Sequence, residues 1–289
     1  MIYPLAVIRR CFLPLIVVFV IFSTAFSEDF NELVVEKIAK MPAAGVYASY
    51  RKDLPDGQRF SDLQETVGDL SASLKVAQGG KLTVNPGSAD KLSFCSSATY
   101  LLFCEVISEL QKRGIVPSNR NLSRELADVG EKEEVIAGKM DGVGIFGHWN
   151  ADGPGTAMLF HRLGLGANLY GLQNAKPGDF LKIFWNENIG LGERGHLVVY
   201  LGRNESGDAI QVWSSNMKNS DGSSGYGTMW VETSRIRRAV LSRLQHPENL
   251  VRWLGFSERE KTSEYLVRIR ETGSSGEEMK QAVGALDSL

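Results

Sequence analysis

The stretch that decides the fold is FCSSATYLLFC, which runs from Phe94 to Cys104 and holds two cysteines, Cys95 and Cys104. It follows the turn-prone segment TVNPGSADKLS, and its apolar residues recur at helical spacing. The stretch therefore predicts a helix that begins at Cys95. At about 1.5 Å rise per residue, the two cysteine Cα atoms lie about 13 Å apart, beyond the roughly 7 Å that a disulfide tolerates.

The two thiols stand in different surroundings. Cys104 has apolar neighbours along the predicted helix, and a free cysteine in such a place behaves as a small hydrophobe of the core. Cys95 is predicted at the helix N-terminus, where the helix dipole and the free amide groups favour the thiolate. Cys95 is therefore either a nucleophile or an unreactive cysteine in the cap region, and its surroundings alone fit both interpretations.

A nucleophilic cysteine needs a base, and the chain has four histidines. His196 opens the run HLVVYLG, whose alternation predicts a strand, so its ring is expected at a rigid sheet end. His161 has the spacing of a helix-face residue, and His246 precedes a proline near a predicted helix end. His148 and Trp149 fall in the Gly-rich segment GVGIFGHWNADGPG, which is expected to form a loop along a substrate cleft. His196 is the first choice for the base.

Further strands are predicted on either side of HLVVYLG. The segment AKPGDFLKIFW is typical of a turn that leads into a strand, and AIQVWSS is typical of the return strand of a hairpin. The chain order is therefore a helix headed by Cys95, a helical and loop-rich middle, and then at least three strands.

Residues from about 93 to 250 resemble the NlpC-type cell-wall cysteine peptidases of the wider papain-like group. In that family a cysteine starts a helix in a pattern like D-C-S-G, a P-G-D-L-V-F-F strand follows, and an H-V-x-I-Y-L-G strand supplies the base. The matching segments here are FCSSATYLL, PGDFLKIFW and GHLVVYLG, in the same order. The resemblance implies Cys95 as nucleophile and His196 as base, in an α+β fold whose central antiparallel sheet packs against the Cys95 helix.

The sequence departs from the family pattern at the residue that orients the histidine. The nearest register match is Trp213, whose indole N–H only donates and cannot accept the imidazole proton. Gln211, on the same face of the strand, is the first choice for this role, and Asn216 is the second. The alternative for both is a polar residue at the hairpin end that bonds the backbone. Phe94 and Ser97 also differ from the pattern, which has a small acidic or polar residue and a glycine there.

The resemblance implies an exported hydrolase that cleaves an amide bond in the peptidoglycan stem peptide. The segments around His148, Trp149, Trp213 and Asn216 carry aromatic and amide groups suited to binding a peptide or sugar. Two other functions stay open, an acyl or amide transferase on the same cysteine and histidine, and a catalytically inactive cell-wall-binding protein. The histidines show no HExxH spacing and the cysteines no CxxC pair, so no metal or other cofactor is expected.

The first 27 residues predict export, because a basic pair precedes the apolar run CFLPLIVVFVIF and small residues close the segment. An uncleaved anchor is the alternative, and it would be the protein's only link to a membrane. The secreted or periplasmic chain is expected to comprise a helical extension at 28–90, the catalytic domain at 91–250 and a helical tail at 251–289. Its 32 basic and 34 acidic residues nearly cancel without a basic stripe, which argues against nucleic acid as a partner.

Overall fold

The computed structural model describes residues 30–43, 45–48, 56–130 and 144–287 of the 289-residue chain. The predicted signal segment at 1–27 lies outside these residues. No helix in the described part of the chain is long and apolar enough to span a membrane. The described residues combine helices with a large sheet, which confirms the α+β class.

The helices and strands alternate in the N-terminal half, and the strands dominate the C-terminal half. The helices are α1 (Asn31–Ile38), α2 (Asp56–Ser73), α3 (Cys95–Lys112), α4 (Arg120–Ala127), α5 (Gly144–Asn150), α6 (Gly155–Leu163), α7 (Glu264–Thr272) and α8 (Gly276–Ala282). The strands are β1 (Val46–Tyr47), β2 (Leu74–Val76), β3 (Leu82–Val84), β4 (Leu92–Ser93), β5 (Gly166–Tyr170), β6 (Phe180–Phe184), β7 (Gly195–Arg203), β8 (Ala209–Asn216), β9 (Gly225–Glu232), β10 (Arg238–Leu244) and β11 (Leu286–Asp287).

The main sheet has the strand order β11-β5-β10-β6-β7-β8-β9. All neighbours are antiparallel except β11, which runs parallel to β5 at one edge. Two small pairs lie beside it, the parallel pair of β1 with β4 and the antiparallel hairpin of β2 with β3. The segments PGDFLKIFW, GHLVVYLG and AIQVWSS therefore form adjacent strands, as their patterns predict.

Helix α3 begins at Cys95, as the sequence predicts, and packs against β7 and β8. Ser97 closes its first turn, because its hydroxyl accepts from the Phe94 amide at 3.0 Å and donates to the Phe94 carbonyl at 2.9 Å. Most of the helix is buried, and its Phe103 ring stacks 4.7 Å from the ring of Trp149. This packing fixes the start of α3 against the centre of the sheet.

The N-terminal elements share the core of α3. Leu33 of α1 and Leu70 of α2 belong to the same buried apolar cluster as Phe103. Asn31 also donates to the Pro177 carbonyl at 2.8 Å and to Asp179 Oδ1 at 2.9 Å, which ties α1 to the turn before β6. The boundary that the sequence suggests near residue 90 stays an interpretation, because the two sides of it are joined by one core.

The C-terminal tail, for which the sequence predicts helix, contains two α-helices and also a short strand. A 3₁₀ helix covers Pro247–Gly255, two α-helices follow, and β11 ends the segment by pairing with β5. His246 is not near the end of an α-helix, since it lies between β10 and this 3₁₀ helix. The charged composition of the segment gives no strand signal for β11, because this short strand depends on pairing with β5 and not on its own residues.

Candidate active site

Cys95 and His196 come together where the start of α3 meets β7, and their side chains are hydrogen bonded. Serines of β8 hold this junction. Ser214 Oγ donates to the Leu197 carbonyl at 2.8 Å and lies 3.4 Å from the Cys95 carbonyl. One residue further along β8, Ser215 Oγ donates at 3.1 Å to the carbonyl of the residue that precedes Phe94. The distance between thiol and imidazole is thus set by buried polar contacts on both elements.

The thiol and the imidazole shift each other's pKa. Burial by itself raises the pKa of Cys95, but the hydrogen bond and charge of His196, the Leu197 amide and the Lys182 charge outweigh it and lower the pKa to about 7. Burial and the charge of Lys182 likewise lower the pKa of His196, but its contacts with Cys95 and Asn216 prevail and raise it. Each group favours the charged form of the other, so the pair is suited to exist as thiolate and imidazolium.

Asn216 orients the imidazole. Its Oδ1 lies 2.9 Å from His196 Nε2, while its Nδ2 donates to Asn219 Oδ1 at 2.7 Å and to the Gly227 carbonyl at 3.0 Å. Because Nδ2 must donate to these two acceptors, Oδ1 is the atom that faces the ring and accepts from Nε2–H. The Nδ1 atom is therefore left to exchange the proton with Cys95.

Gln211, the first choice from sequence for this role, is placed elsewhere. It lies beyond a bulge in β7, roughly 20 Å along the strand from His196 at about 3.3 Å per residue. Val199 pairs with Trp213, and counting three residues back on β7 and three forward on β8 brings His196 opposite Asn216. The strand register, which hairpin length and the bulge set, therefore gives Asn216 in place of Gln211.

Trp213 and His148, both expected in a substrate cleft, lie outside it. The Trp213 indole is buried in the apolar core, 6.2 Å from the ring of Tyr226. His148 lies on α5 instead of a Gly-rich loop, with Nδ1 bonded to the Gly144 carbonyl at 3.1 Å and Nε2 bonded to Arg162 at 2.9 Å. Burial, aided by the Arg162 charge, lowers the pKa of His148 to about 4, so the ring stays neutral.

Trp149 lines the cavity that contains Cys95. Its indole N–H donates to Thr99 Oγ1 at 3.0 Å, and its ring packs 5.0 Å from that of Phe180. The side chain is 1% exposed, although the residue lines the cavity that contains Cys95. Trp149 therefore forms part of the floor and holds α5 against α3, with little of its ring open to a ligand.

Tyr47 is a site residue that no pattern in the sequence indicates. Strand β1 pairs Tyr47 with Ser93, two residues before Cys95, and the phenol is hydrogen bonded to the thiol. Burial, followed by the charge and hydrogen bond of Cys95, raises the pKa of Tyr47 well above its usual range, so the hydroxyl remains a donor. Its ring lies edge-on to His196, with 6.3 Å between centroids. A strand of two residues carries no periodic signal, which is why the sequence did not reveal it.

The thiol opens into a cleft of about 800 Å³. Its lining includes Asp152, Lys182, Trp185 and Met217 beside Tyr47. This volume lies in the range of ordinary ligand sites, and the mix of charged, aromatic and apolar groups suits a peptide with polar side chains. A second cavity, of about 550 Å³, lies next to His148 and does not contain Cys95.

Within residues 30–43, 45–48, 56–130 and 144–287, no group of three or more His, Cys, Asp or Glu side chains is placed to hold a metal ion. No family model matches the sequence, and no curated protein or solved structure is significantly similar to it. The contacts of Cys95, His196 and Asn216 are therefore the evidence for the chemistry of the site.

Proposed function

We propose that the protein is a cysteine hydrolase that cleaves an amide bond, with Cys95 as nucleophile and His196 as general base. Asn216 is the residue that orients the imidazole. One observation carries this proposal. The thiol, the imidazole and the Asn216 amide form a continuous hydrogen-bonded chain, and its thiol end opens into the cleft of about 800 Å³.

The finer fold that we propose is papain-like and NlpC-type. It is supported by the order in which the three family-like segments occur as α3, β6 and β7, and by the position of the base on the strand next to Asn216. It is also supported by the packing of the Cys95 helix on an antiparallel region of the sheet. The arrangement Cys-His-Asn is the one that papain-like proteases use, which favours hydrolysis at a thiolate.

The reaction follows from the residue types. The Cys95 thiolate attacks the carbonyl carbon, and the tetrahedral intermediate expels the amine after His196 transfers its Nδ1 proton to the leaving nitrogen. The resulting thioester is attacked by water, whose proton passes to Nδ1, and the acid leaves as the thiolate is restored. Asn216 keeps the Nε2 proton in place through both steps, so that only Nδ1 exchanges protons.

The negative charge on the carbonyl oxygen needs donors at the start of α3. The first amides of a helix have no partner within the helix, and the Cys95 amide belongs to this turn. The Tyr47 hydroxyl, which already contacts the thiol, is suited to act as the second donor. Removing one such donor typically costs about 3 kcal/mol of transition-state stabilisation.

The substrate that we propose is the stem peptide of peptidoglycan, met in the periplasm or outside the cell. The support is the resemblance of the three segments to cell-wall peptidases and the export signal that the sequence predicts. Asp152 and Lys182 add charges of both signs to the cleft, and stem peptides carry both amino and carboxyl groups. The same features are consistent with transfer to an amine, so the product has to be identified.

The test is mass spectrometry of purified muropeptides incubated with the protein and with its Cys95→Ala variant. We expect a new fragment with the parent protein alone, and its mass identifies the bond. An added amine such as glycine amide separates the two reactions, because a transferase incorporates it whereas a hydrolase does not. If several wall chemistries give no product and Cys95 resists alkylation, the proposal is wrong and a binding protein takes its place.

A further inference from the structure

Lys182 occupies a position where the strand pattern requires an apolar residue. Its neighbours two residues away on the same face of β6, Phe180 and Phe184, are fully buried. The Lys182 side chain is only 15% exposed. Because a buried ammonium loses hydration, a lysine here conflicts with the local pattern, and such conflicts concentrate at functional sites.

The Lys182 ammonium forms an ion pair with Glu193. Lys182 Nζ lies 2.6 Å from Glu193 Oε1, and the carboxylate is 3% exposed. Its second oxygen, Oε2, accepts from the Gly153 amide at 2.7 Å and from the Gly190 amide at 2.9 Å. Glu193 is therefore fixed by two loops, and the direction of the Lys182 side chain is fixed with it.

The strand register brings this cation to the thiol. Lys182 pairs with Leu197, and the Leu197 amide is the backbone group that donates to Cys95 Sγ. Lys182 and Cys95 line the same cleft. Charges in such a partly buried place are screened less than charges at an exposed surface, so the ammonium acts on the sulfur.

Among the described residues, titratable groups of three strands act on the thiol, and two acidic groups act on Lys182. His196 of β7 and Lys182 of β6 supply positive charge, and Tyr47 of β1 donates a neutral hydrogen bond. Burial lowers the pKa of Lys182, but the attraction of Glu193, Asp152 and Cys95 outweighs it and raises the pKa. The charges of His196 and Lys182 both act on Cys95, and the charge of Lys182 also lowers the pKa of His196.

We propose that Lys182 is a positioning residue for the nucleophile: its buried ammonium, anchored by Glu193, holds negative charge on Cys95 Sγ together with His196. The inference rests on the proposed role of Cys95 as nucleophile, but it does not depend on the substrate. It predicts that the Lys182 ammonium, which takes no part in proton transfer, accounts for part of the reactivity of the thiol.

The test is the pH dependence of Cys95 alkylation by iodoacetamide in the full chain, read by mass spectrometry of the peptide that contains Cys95. The variant Lys182→Met removes the charge with little change in length. We expect the midpoint of alkylation to rise by roughly one pH unit, and the rate below the midpoint to fall about tenfold. Lys182→Arg keeps the charge, so its midpoint is expected to stay close to that of the parent.

The matched control is Lys218→Met. Lys218 is exposed and follows Met217, which lines the cleft, so the same substitution removes a cation that solvent screens. We expect no shift of the midpoint. An equal shift in this variant would overturn the inference, because it would show a general effect of net charge. A shift in Lys182→Arg as large as in Lys182→Met would also overturn it, since the cause would then be packing.

The variant Lys182→Met leaves the Glu193 carboxylate buried without its ion-pair partner and is expected to lose stability. The double variant with Lys182→Met and Glu193→Gln removes both charges and gives the result if the single variant does not fold. An unchanged midpoint in the folded variants overturns the role of Lys182. Because alkylation needs no substrate, a lack of muropeptide cleavage would count against the proposed function alone.

Discussion

Cys95 and Cys104 belong to the same helix, and burial raises the pKa of both thiols, yet their surroundings shift the two pKa values in opposite directions. At the start of α3, a histidine, a backbone amide and a lysine outweigh burial and bring the pKa of Cys95 to about 7. In the middle of the helix, burial dominates at Cys104 and raises its pKa, while the hydroxyl of Tyr100 offsets it only in part. The pKa of a buried thiol therefore depends on the groups that it contacts more than on burial itself.

His196 and His148 repeat the comparison for the imidazole. Burial lowers the pKa of each ring. At His196 the contacts with Cys95 and Asn216 favour the imidazolium and prevail over burial and the charge of Lys182. At His148 the hydrogen bond to the Gly144 carbonyl does not offset burial and the charge of Arg162. The same residue type is thus suited to proton transfer in one place and to a neutral, structural role in the other.

The largest expected effect is the loss of activity when Cys95 or His196 is replaced. We expect Cys95→Ala and His196→Ala each to lower kcat/KM by at least about 10³-fold, because they remove the attacking atom and the group that moves its proton. The measurement is the rate of muropeptide cleavage, with circular dichroism to establish folding. Activity that survives in Cys95→Ala would rule out the proposed mechanism.

The next prediction sharpens the assignment of the orienting residue. We expect Asn216→Ala to lower kcat by about 10- to 100-fold, because the imidazole loses the acceptor at Nε2 and changes its ring position and tautomer. Gln211→Ala is the control on the same strand and is expected to change kcat by less than about twofold, since it does not contact His196. The reverse order of the two effects would restore the assignment made from sequence.

The sequence predicts Cys95 and His196 correctly as the start of a helix and the start of a strand, but it does not predict that Asn216, and not Gln211, contacts His196. The start of α3 at Cys95 and the strands around His196 follow from local signals, namely a turn before an apolar helix and alternation along a strand. The partner of His196 depends on the register across a hairpin, and the bulge after Tyr200 changes that register without a clear mark in the sequence. Local patterns therefore predict the two groups that we propose to react, and the third group required the structure.

The residues that the sequence missed depend on contacts between distant segments. Tyr47 reaches the thiol because β1 pairs with β4, and a pairing of two residues across more than forty positions has no local pattern. In the opposite direction, the glycines around His148 suggested a loop, but Phe146 and Trp149 pack against the core and the segment forms a helix. Tertiary packing overrides weak helix propensity there.

The lowered pKa of His148 predicts how the free energy of unfolding depends on pH. His148 has its pKa lowered to about 4 in the folded protein, below the value of about 6.5 in an unfolded chain. The unfolded state therefore binds the proton first, and stability is lost as pH falls from about 6.5 toward 4, by roughly 3 kcal/mol in total. The free energy of unfolding, measured with urea at pH 7 and at pH 5, gives the part of this loss that occurs between those two pH values.

His148→Gln is the variant that tests this source of pH dependence, because glutamine keeps hydrogen-bonding groups and does not titrate. We expect the difference in unfolding free energy between pH 7 and pH 5 to become smaller in this variant. His246→Gln is the matched control, since His246 is half exposed and lies outside both cavities. A difference that persists in His148→Gln and disappears in His246→Gln would contradict the assignment.

The smallest expected effect separates the second cysteine from the first. Cys104 is fully buried among apolar residues of α3, so Cys104→Ala removes one sulfur from a packed core and is expected to lower the free energy of unfolding by about 1–2 kcal/mol. The rate of muropeptide cleavage and the alkylation midpoint of Cys95 are expected to stay at the parent values, because Cys104 contacts neither His196 nor the cleft. A fall in cleavage rate at full folding would show that the core of α3 helps to position Cys95, and it would weaken the division between a reactive end and a structural middle of this helix.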